Sequence, residues 1–276
     1  MAERTVHLPP ESKGDAPARG RLAGRRVLVV GGGQMDIGEA DTPVGNGRAI
    51  AILFAREGAA VAVADRDGAS AAATARTIAR EGGKAFAITA DATKEADIVR
   101  MIDTAVAETG GPIDGLVLNV GIGAGGAWLE GTTAESWDKV FAVNIKSHML
   151  TVKHALAKMA DASSIVFIAS IAGLTAGSRL PAYDASKAGL LGLSRHVAFE
   201  GARRAIRANV VAPGLMDTSI GRLASRGRPN RATTPVPLNR QGTGWETAYA
   251  ALFLVSEESA YITAQVLAVD GGLSGL

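Results

Sequence analysis

A chain of 276 residues with 47% hydrophobic and 20% charged side chains has ample material for a core, and α/β folds of about 250 residues commonly form one unit. Its 29 Lys and Arg nearly cancel its 27 Asp and Glu, leaving a formal charge of +2 with no long basic run, which excludes the usual footprint of a partner nucleic acid or anionic membrane. Cysteine is absent and histidine occurs four times, which excludes disulfides and thiolate metal sites and leaves no metal assigned.

The first residues, MAERTVHLPPESKGDAPARG, mix charge, proline and glycine without periodicity, so residues 1–24 are expected to be a flexible arm and residues 25–276 the domain. No apolar run of roughly 18 residues follows, so a cytoplasmic protein is expected. From Val27 onward, short β-branched runs alternate with longer helical stretches. Strands are predicted near Val27, Val61, Phe86, Val117, Val166, Val210 and Val266. Helices are predicted over 47–57, 69–80, 95–108, 136–159, 182–202 and 245–256. The pattern describes a single doubly wound α/β domain of Rossmann type, with seven mostly parallel strands and helices on both faces.

Directly after the first strand stands GGGQMDIGEADTPVGNGRAIA, followed by helical spacing. Glycines at a strand-to-helix turn let the backbone approach a pyrophosphate, and the helix N-terminus supplies free N–H groups. Gly31, Gly45 and Gly47 are the candidates. At the end of the second strand, Asp65 is placed to accept hydrogen bonds from an adenosine ribose, which favours NAD over NADP. Arg66 beside it is the competing group, because a guanidinium pairs with a 2′-phosphate. The acidic residues Asp36, Glu39 and Asp41 are expected to bulge into the same neighbourhood and add to the repulsion.

Tyr183 and Lys187 are four apart in a helical stretch and so share one face. A nearby ammonium stabilises a phenolate and brings a tyrosine towards the working pH range, where it can move a proton. Ser170, at the end of an apolar strand, is placed to hydrogen-bond a substrate oxygen.

From about Leu22 to the C-terminus these motifs resemble the short-chain dehydrogenase/reductase family. The resemblance rests on the glycine turn, LNVG, AVNIKS, the Ser170–Tyr183–Lys187 set and IRANVVAPGLMDT. The glycine turn departs from the family pattern, with Val30 where Thr is usual and about ten extra residues before GNG. The resemblance implies a nicotinamide-dependent oxidoreductase that interconverts a small alcohol and a ketone. Tyr183 would be its acid/base, Lys187 would bind the nicotinamide ribose and tune Tyr183, and Ser170 would orient the substrate. It also implies that Asn144 holds a relay water and that Asp91 binds the adenine amino group. Asn46, Ala92, Asn119, Gly121, Pro213, Gly214, Met216 and Thr218 would line the cofactor. A homotetramer is implied too. Two alternatives stay open, an NADPH-dependent 3-oxoacyl thioester reductase and a non-catalytic nucleotide-binding regulatory protein. Residues 214–238 would cover the substrate, and Arg222, Arg226, Arg228 and Arg231 within them hint at an anionic one. His148, His154 and His196 are read as surface or interface residues, and Trp128 and Trp137 receive no role.

Overall fold

The structure, a computed structural model, describes residues 6–226, 228 and 236–275. After a one-turn helix α1 (Pro10–Lys13), the chain alternates β1 (Arg26–Val30), α2 (Asn46–Arg56), β2 (Ala60–Asp65), α3 (Gly68–Arg80), β3 (Lys84–Thr89), α4 (Glu95–Thr109) and β4 (Ile113–Leu118). The second half follows with α5 (Ala134–Phe141), α6 (Ser147–Ala155), β5 (Met159–Ile168), α7 (Pro181–Gly201) and β6 (Arg207–Pro213). A two-strand pair, β7 (Met216–Asp217) and β8 (Gly242–Thr243), brackets α8 (Ser219–Ser225), and α9 (Gly244–Val255) leads into β9 (Val266–Val269).

All seven predicted strands join one parallel sheet in the order β3-β2-β1-β4-β5-β6-β9. The period of two along each strand divides the core between the two faces. Val27, Val29, Val61 and Val63 pack towards α2, α3 and α9. Leu28, Val30, Ala62 and Ala64 pack towards α4, α6 and α7. Both faces being covered is why these strands read as continuous apolar runs rather than alternating ones.

Two expectations are corrected. The segment read as a flexible arm is docked from about residue 9 onward. Ser12 is buried and its hydroxyl donates to Glu246 Oε1 at 2.8 Å, Leu22 is fully buried, and Trp245 covers Gly14. The fully buried Glu57 accepts from the backbone N–H groups of Arg19 (3.1 Å) and Arg21 (2.9 Å) and from the Arg21 guanidinium (2.9 Å). Polar anchors of this kind carry no periodicity, so a pattern search passes over them. The long helix expected over 136–159 is likewise not continuous. It consists of α5, a π-helical turn (Ala142–Lys146), α6 and a 3-10 turn, and Met159 already belongs to β5. A π turn inserts one residue into the helical register, and such turns concentrate at functional positions; the buried Asn144 sits in the middle of this one.

Candidate active site

In this strand order the chain leaves β1 towards one edge of the sheet and β4 towards the other, which opens a crevice at their C-terminal ends. Gly31 follows β1 with φ +84°, and Asn119 follows β4. Asn119 bonds back across the crevice, its N–H to Val30 O at 2.9 Å and its Nδ2 to Gly31 O at 2.8 Å. Helix α2 starts in contact with this turn, since a Cβ on Gly47 would stand 1.9 Å from Gly31 O and 2.5 Å from Asn119 Nδ2. Its N-cap, Gly45, offers no capping side chain, and Asn46 Oδ1 is buried without a hydrogen-bond partner. An uncapped helix start and no Cβ at the tightest point fit a dinucleotide's pyrophosphate. Gly47→Ala is expected to push α2 off β1 and weaken NADH binding by about tenfold or more, a shift on the order of 1.4 kcal/mol, measurable by fluorescence titration; unchanged affinity would show that this contact does not shape the site.

At the end of β2, Asp65 Oδ2 accepts from Gly33 N (3.0 Å) and Oδ1 from Asp67 N (3.1 Å). The backbone of Gln34 is fixed beside it, its N–H donating to Ser70 Oγ at 2.6 Å. Arg66 is exposed. The cation whose field reaches Asp65 is Arg48, which the sequence reading did not single out; burial lowers its pKa and Asp65 opposes that shift. Asp91 accepts from the N–H and hydroxyl of Thr93, which holds its pKa below the usual range, and Ala92 beside it is buried.

The acidic residues of the inserted segment 32–44 behave differently from expectation. Rather than adding to a carboxylate field around Asp65, Glu39 and Asp41 pair with Arg222 at 2.9 and 3.1 Å, and Glu39 also pairs with Arg226 at 3.1 Å. Asp36 closes a local turn by accepting from Gly38 N. Opposite charges draw the loop towards α8, whose arginines could not be matched to it by sequence distance alone.

The remaining candidates converge at the start of α7. Pro181 occupies its first turn, where the missing N–H costs nothing, and Tyr183 and Lys187 follow one turn apart. Lys187 is 4% exposed, and its Nζ donates to Ile168 O at 2.9 Å and lies 5.8 Å from the centre of the Tyr183 ring. Burial pushes this ammonium down to about 8, so it still carries its charge at neutral pH. Asn144 is fully buried; its Oδ1 accepts from Ile122 N at 2.8 Å, and its Nδ2 donates to Ile122 O and Ser186 Oγ, both at 3.0 Å. Ser186 in turn donates to Tyr183 O at 2.8 Å. The carboxamide thus ties the segment after β4 to the helix that carries Tyr183, with both of its N–H groups committed to protein. Ser186 was missed as a site residue although it lies inside the YDASK motif. Gly121 stands against the lysine, with its Cβ position 3.0 Å from Lys187 Nζ.

Ser170 lies two residues past β5 and caps a 3-10 turn, accepting from Ala172 N at 3.2 Å. That turn lies directly on α7, because a Cβ on Gly173 would stand 2.7 Å from the Lys187 backbone. Serine, tyrosine and lysine are therefore placed by one contact between the turn after β5 and α7. Downstream, Pro213 closes β6 against Val269, Gly214 N donates to Val269 O at 3.0 Å, Met216 is buried in β7, and Thr218 caps α8 by accepting from Gly221 N.

The arginine hint narrows. Arg222 and Arg226 are spent on the inserted loop, Arg228 donates to Ser178 O at 2.6 Å, and Arg231 lies outside the described residues. His148 is not at the surface as expected. It is buried against Phe167, between Leu118 O and Ser147 Oγ, and burial together with the Lys187 charge pushes it down to about 3, so it stays neutral. His154 pairs with Glu95, and His196 lies exposed beside Glu200. Trp137 stacks on Phe141 and Trp128 is exposed beneath Arg179. Among the described residues no cluster of His, Asp or Glu could hold a metal ion, and no helix is long and apolar enough to cross a membrane.

Comparison with known proteins agrees with this geometry. The family model described as enoyl-(acyl carrier protein) reductase matches residues 42–274. The chain belongs to the short-chain dehydrogenase/reductase family. It is 36% identical over 264 residues to 2-(S)-hydroxypropyl-CoM dehydrogenase 3 of Xanthobacter autotrophicus, covering 93% of this chain and 99% of that protein. It is 34% identical over 259 residues to the 3-oxoacyl-[acyl-carrier-protein] reductase of Chlamydia trachomatis, covering 92% and 99%. A short-chain dehydrogenase/reductase structure from Burkholderia xenovorans superposes with a TM-score of 0.83 at 36% identity, over 94% of this chain and 99% of that one. The protein is accordingly an oxidoreductase that works between a CH–OH group and a carbonyl with a nicotinamide cofactor.

Proposed function

We propose that the enzyme is an NAD-preferring dehydrogenase of a small secondary alcohol, with Ser170, Tyr183 and Lys187 as its catalytic residues. The observation that carries this reading is the buried Lys187 ammonium set beside the Tyr183 ring and fixed to Ile168 O. The nicotinamide ring, when bound, takes or gives the hydride. Tyr183 exchanges the proton of the substrate oxygen, Lys187 supports the phenolate, and Ser170 donates to the oxygen as charge develops there. Asn144 acts as a positioning residue that holds the segment after β4 against α7. A rate assay of NAD reduction over a panel of secondary alcohols tests the assignment, and absence of turnover with every one would overturn it.

Residues 25–276 form the catalytic and cofactor-binding unit in this reading, and the cysteine-free composition accords with a cytoplasmic setting. A homotetramer is supported by apolar side chains left exposed on two helices and near the C-terminal strand, namely Met149, Phe199 and Tyr261.

For the cofactor, Asp65 keeps oxygen lone pairs for the ribose hydroxyls, and a 2′-phosphate would meet its charge. A phosphate–carboxylate approach costs on the order of 1 kcal/mol or more in a partly desolvated site, and roughly 1.4 kcal/mol is tenfold in affinity. NAD is therefore expected to bind at least about tenfold more tightly than NADP, with Asp65→Ser narrowing the ratio. Titrating both cofactors into both proteins decides it, and an unchanged ratio in the variant would remove Asp65 from this role. The second reading, an NADPH-dependent 3-oxoacyl thioester reductase, is favoured by the resemblance to the Chlamydia trachomatis reductase and by Arg48, whose charge partly offsets Asp65. A preference for NADP would select it.

A further inference from the structure

The inserted segment 32–44 is left unexplained by the chemistry above, yet it is bonded at both ends. On the cofactor side, Gln34 Oε1 accepts from Gly45 N at 3.1 Å, at the start of α2, while its backbone N–H and C=O are both held by Ser70 Oγ at 2.6 and 2.9 Å. On the substrate side, both oxygens of Glu39 are taken by arginines on and just after α8: Oε2 by Arg222 at 2.9 Å and Oε1 by Arg226, the residue that ends the helix, at 3.1 Å. Arg226 also donates to Ile37 O, and Asp41 shares the Arg222 Nη1 at 3.1 Å. The rest of the Arg222 fork closes on Asp217, with Nε to Oδ1 at 2.9 Å and Nη2 to Oδ2 at 3.3 Å. Asp217 lies in β7 between Met216 and Thr218.

One guanidinium thus gathers three carboxylates from two separate segments. A lone exposed ion pair contributes little, but a bidentate fork within a network fixes geometry. Both arginines lower the Glu39 pKa, and Arg222 is raised by Asp217 and Glu39 first, so the Glu39–Arg222 pair stays charged throughout the neutral range.

We propose that the inserted loop is a coupling element: through Glu39 it fastens α8, next to the Met216–Thr218 segment, to the dinucleotide turn, so that cofactor binding at residues 45–49 orders residues 219–226. Arg222 and Glu39 are positioning residues in this device. The inference rests on the reading of the glycine turn as the cofactor seat. If the two ends of the loop move as one, energy gained at Gly45 is transmitted to α8, and removal of the Glu39 charge uncouples them without touching either site.

The test is amide hydrogen exchange of the full chain with and without saturating NADH, compared with the Glu39→Gln/Asp41→Asn variant. In the wild type, NADH should slow exchange at 45–49 and also at 219–226, by about fivefold or more at the latter. In the variant the slowing at 45–49 should persist and that at 219–226 should vanish. Arg222→Gln should give the same result, and the triple variant no further loss, because the groups act as one unit. Equal protection of 219–226 in wild type and variant would overturn the proposal, since direct contact would then be the cause. Protection confined to 45–49 in the wild type would also overturn it. Absence of protection at 45–49 would instead overturn the cofactor reading, and the inference with it.

Discussion

Replacing Tyr183 by Phe is expected to lower turnover by about 10²–10⁴-fold, the usual contribution of a positioned acid/base, while NADH affinity stays within a few fold. The phenol hydroxyl is the transferable proton, and no phosphate contact runs through it. The ring itself remains, so the packing beside Lys187, 5.8 Å from the ring centre, and the bond from Ser186 Oγ to Tyr183 O are both preserved. A fall in kcat with KM nearly constant is the signature of an interaction made only in the transition state. Steady-state rates with an active alcohol, set beside a cofactor titration of the same preparation, measure the two quantities. An enzyme that kept its rate as Phe would have to move its proton through another group, and that result would overturn the assignment of Tyr183.

Most of the fold was legible because the signal was local. Each of the seven strands reads as a short apolar run, and the helices between them carry a 3.6-residue period. Tyr183, Lys187 and Ser170 were legible for a related reason: their spacing is chemically meaningful within one helix and the strand end before it. What stayed hidden depends on partners far apart in sequence. Arg222 and Glu39 differ by 183 positions, and Ser12 and Glu246 by 234. Nothing in a window of ten residues shows that such charges will meet, so the acidic loop was assigned to the wrong neighbour and the N-terminal segment to solvent. His148 misled in another way. Its short-range surroundings, SHML, look like any helix surface, and only the π turn before it rotates the side chain inward against Phe167.

Lys187→Met is expected to abolish most activity and, in the protein without cofactor, to raise thermal stability at pH 7. The ammonium is held at about 8, against an ordinary 10.5, by burial alone. That depression is a cost of folding on the order of 3 kcal/mol when the group is charged in both states. Met matches the volume without the charge and loses the bond from the charged ammonium to Ile168 O, worth roughly 1.5–3 kcal/mol, so a net gain of up to about 1.5 kcal/mol, or a few degrees in Tm, is expected. The sign can be followed through pH. Below about 8 both the folded and the unfolded lysine are protonated, and the full cost applies. Between about 8 and 10.5 the unfolded state binds the proton that the folded state has released, so wild-type stability rises with pH and the variant's advantage shrinks across that window. Activity should move the opposite way. Without the ammonium the phenolate of Tyr183 loses its nearby positive charge, and the residual rate should climb with pH where the wild type falls off above about 8. Melting curves of both proteins from pH 7 to about pH 10, alongside pH–rate profiles, test the pair of claims. A variant that melts lower at pH 7, or a rate profile with the wild-type shape, would show that Lys187 is held for packing rather than for its charge.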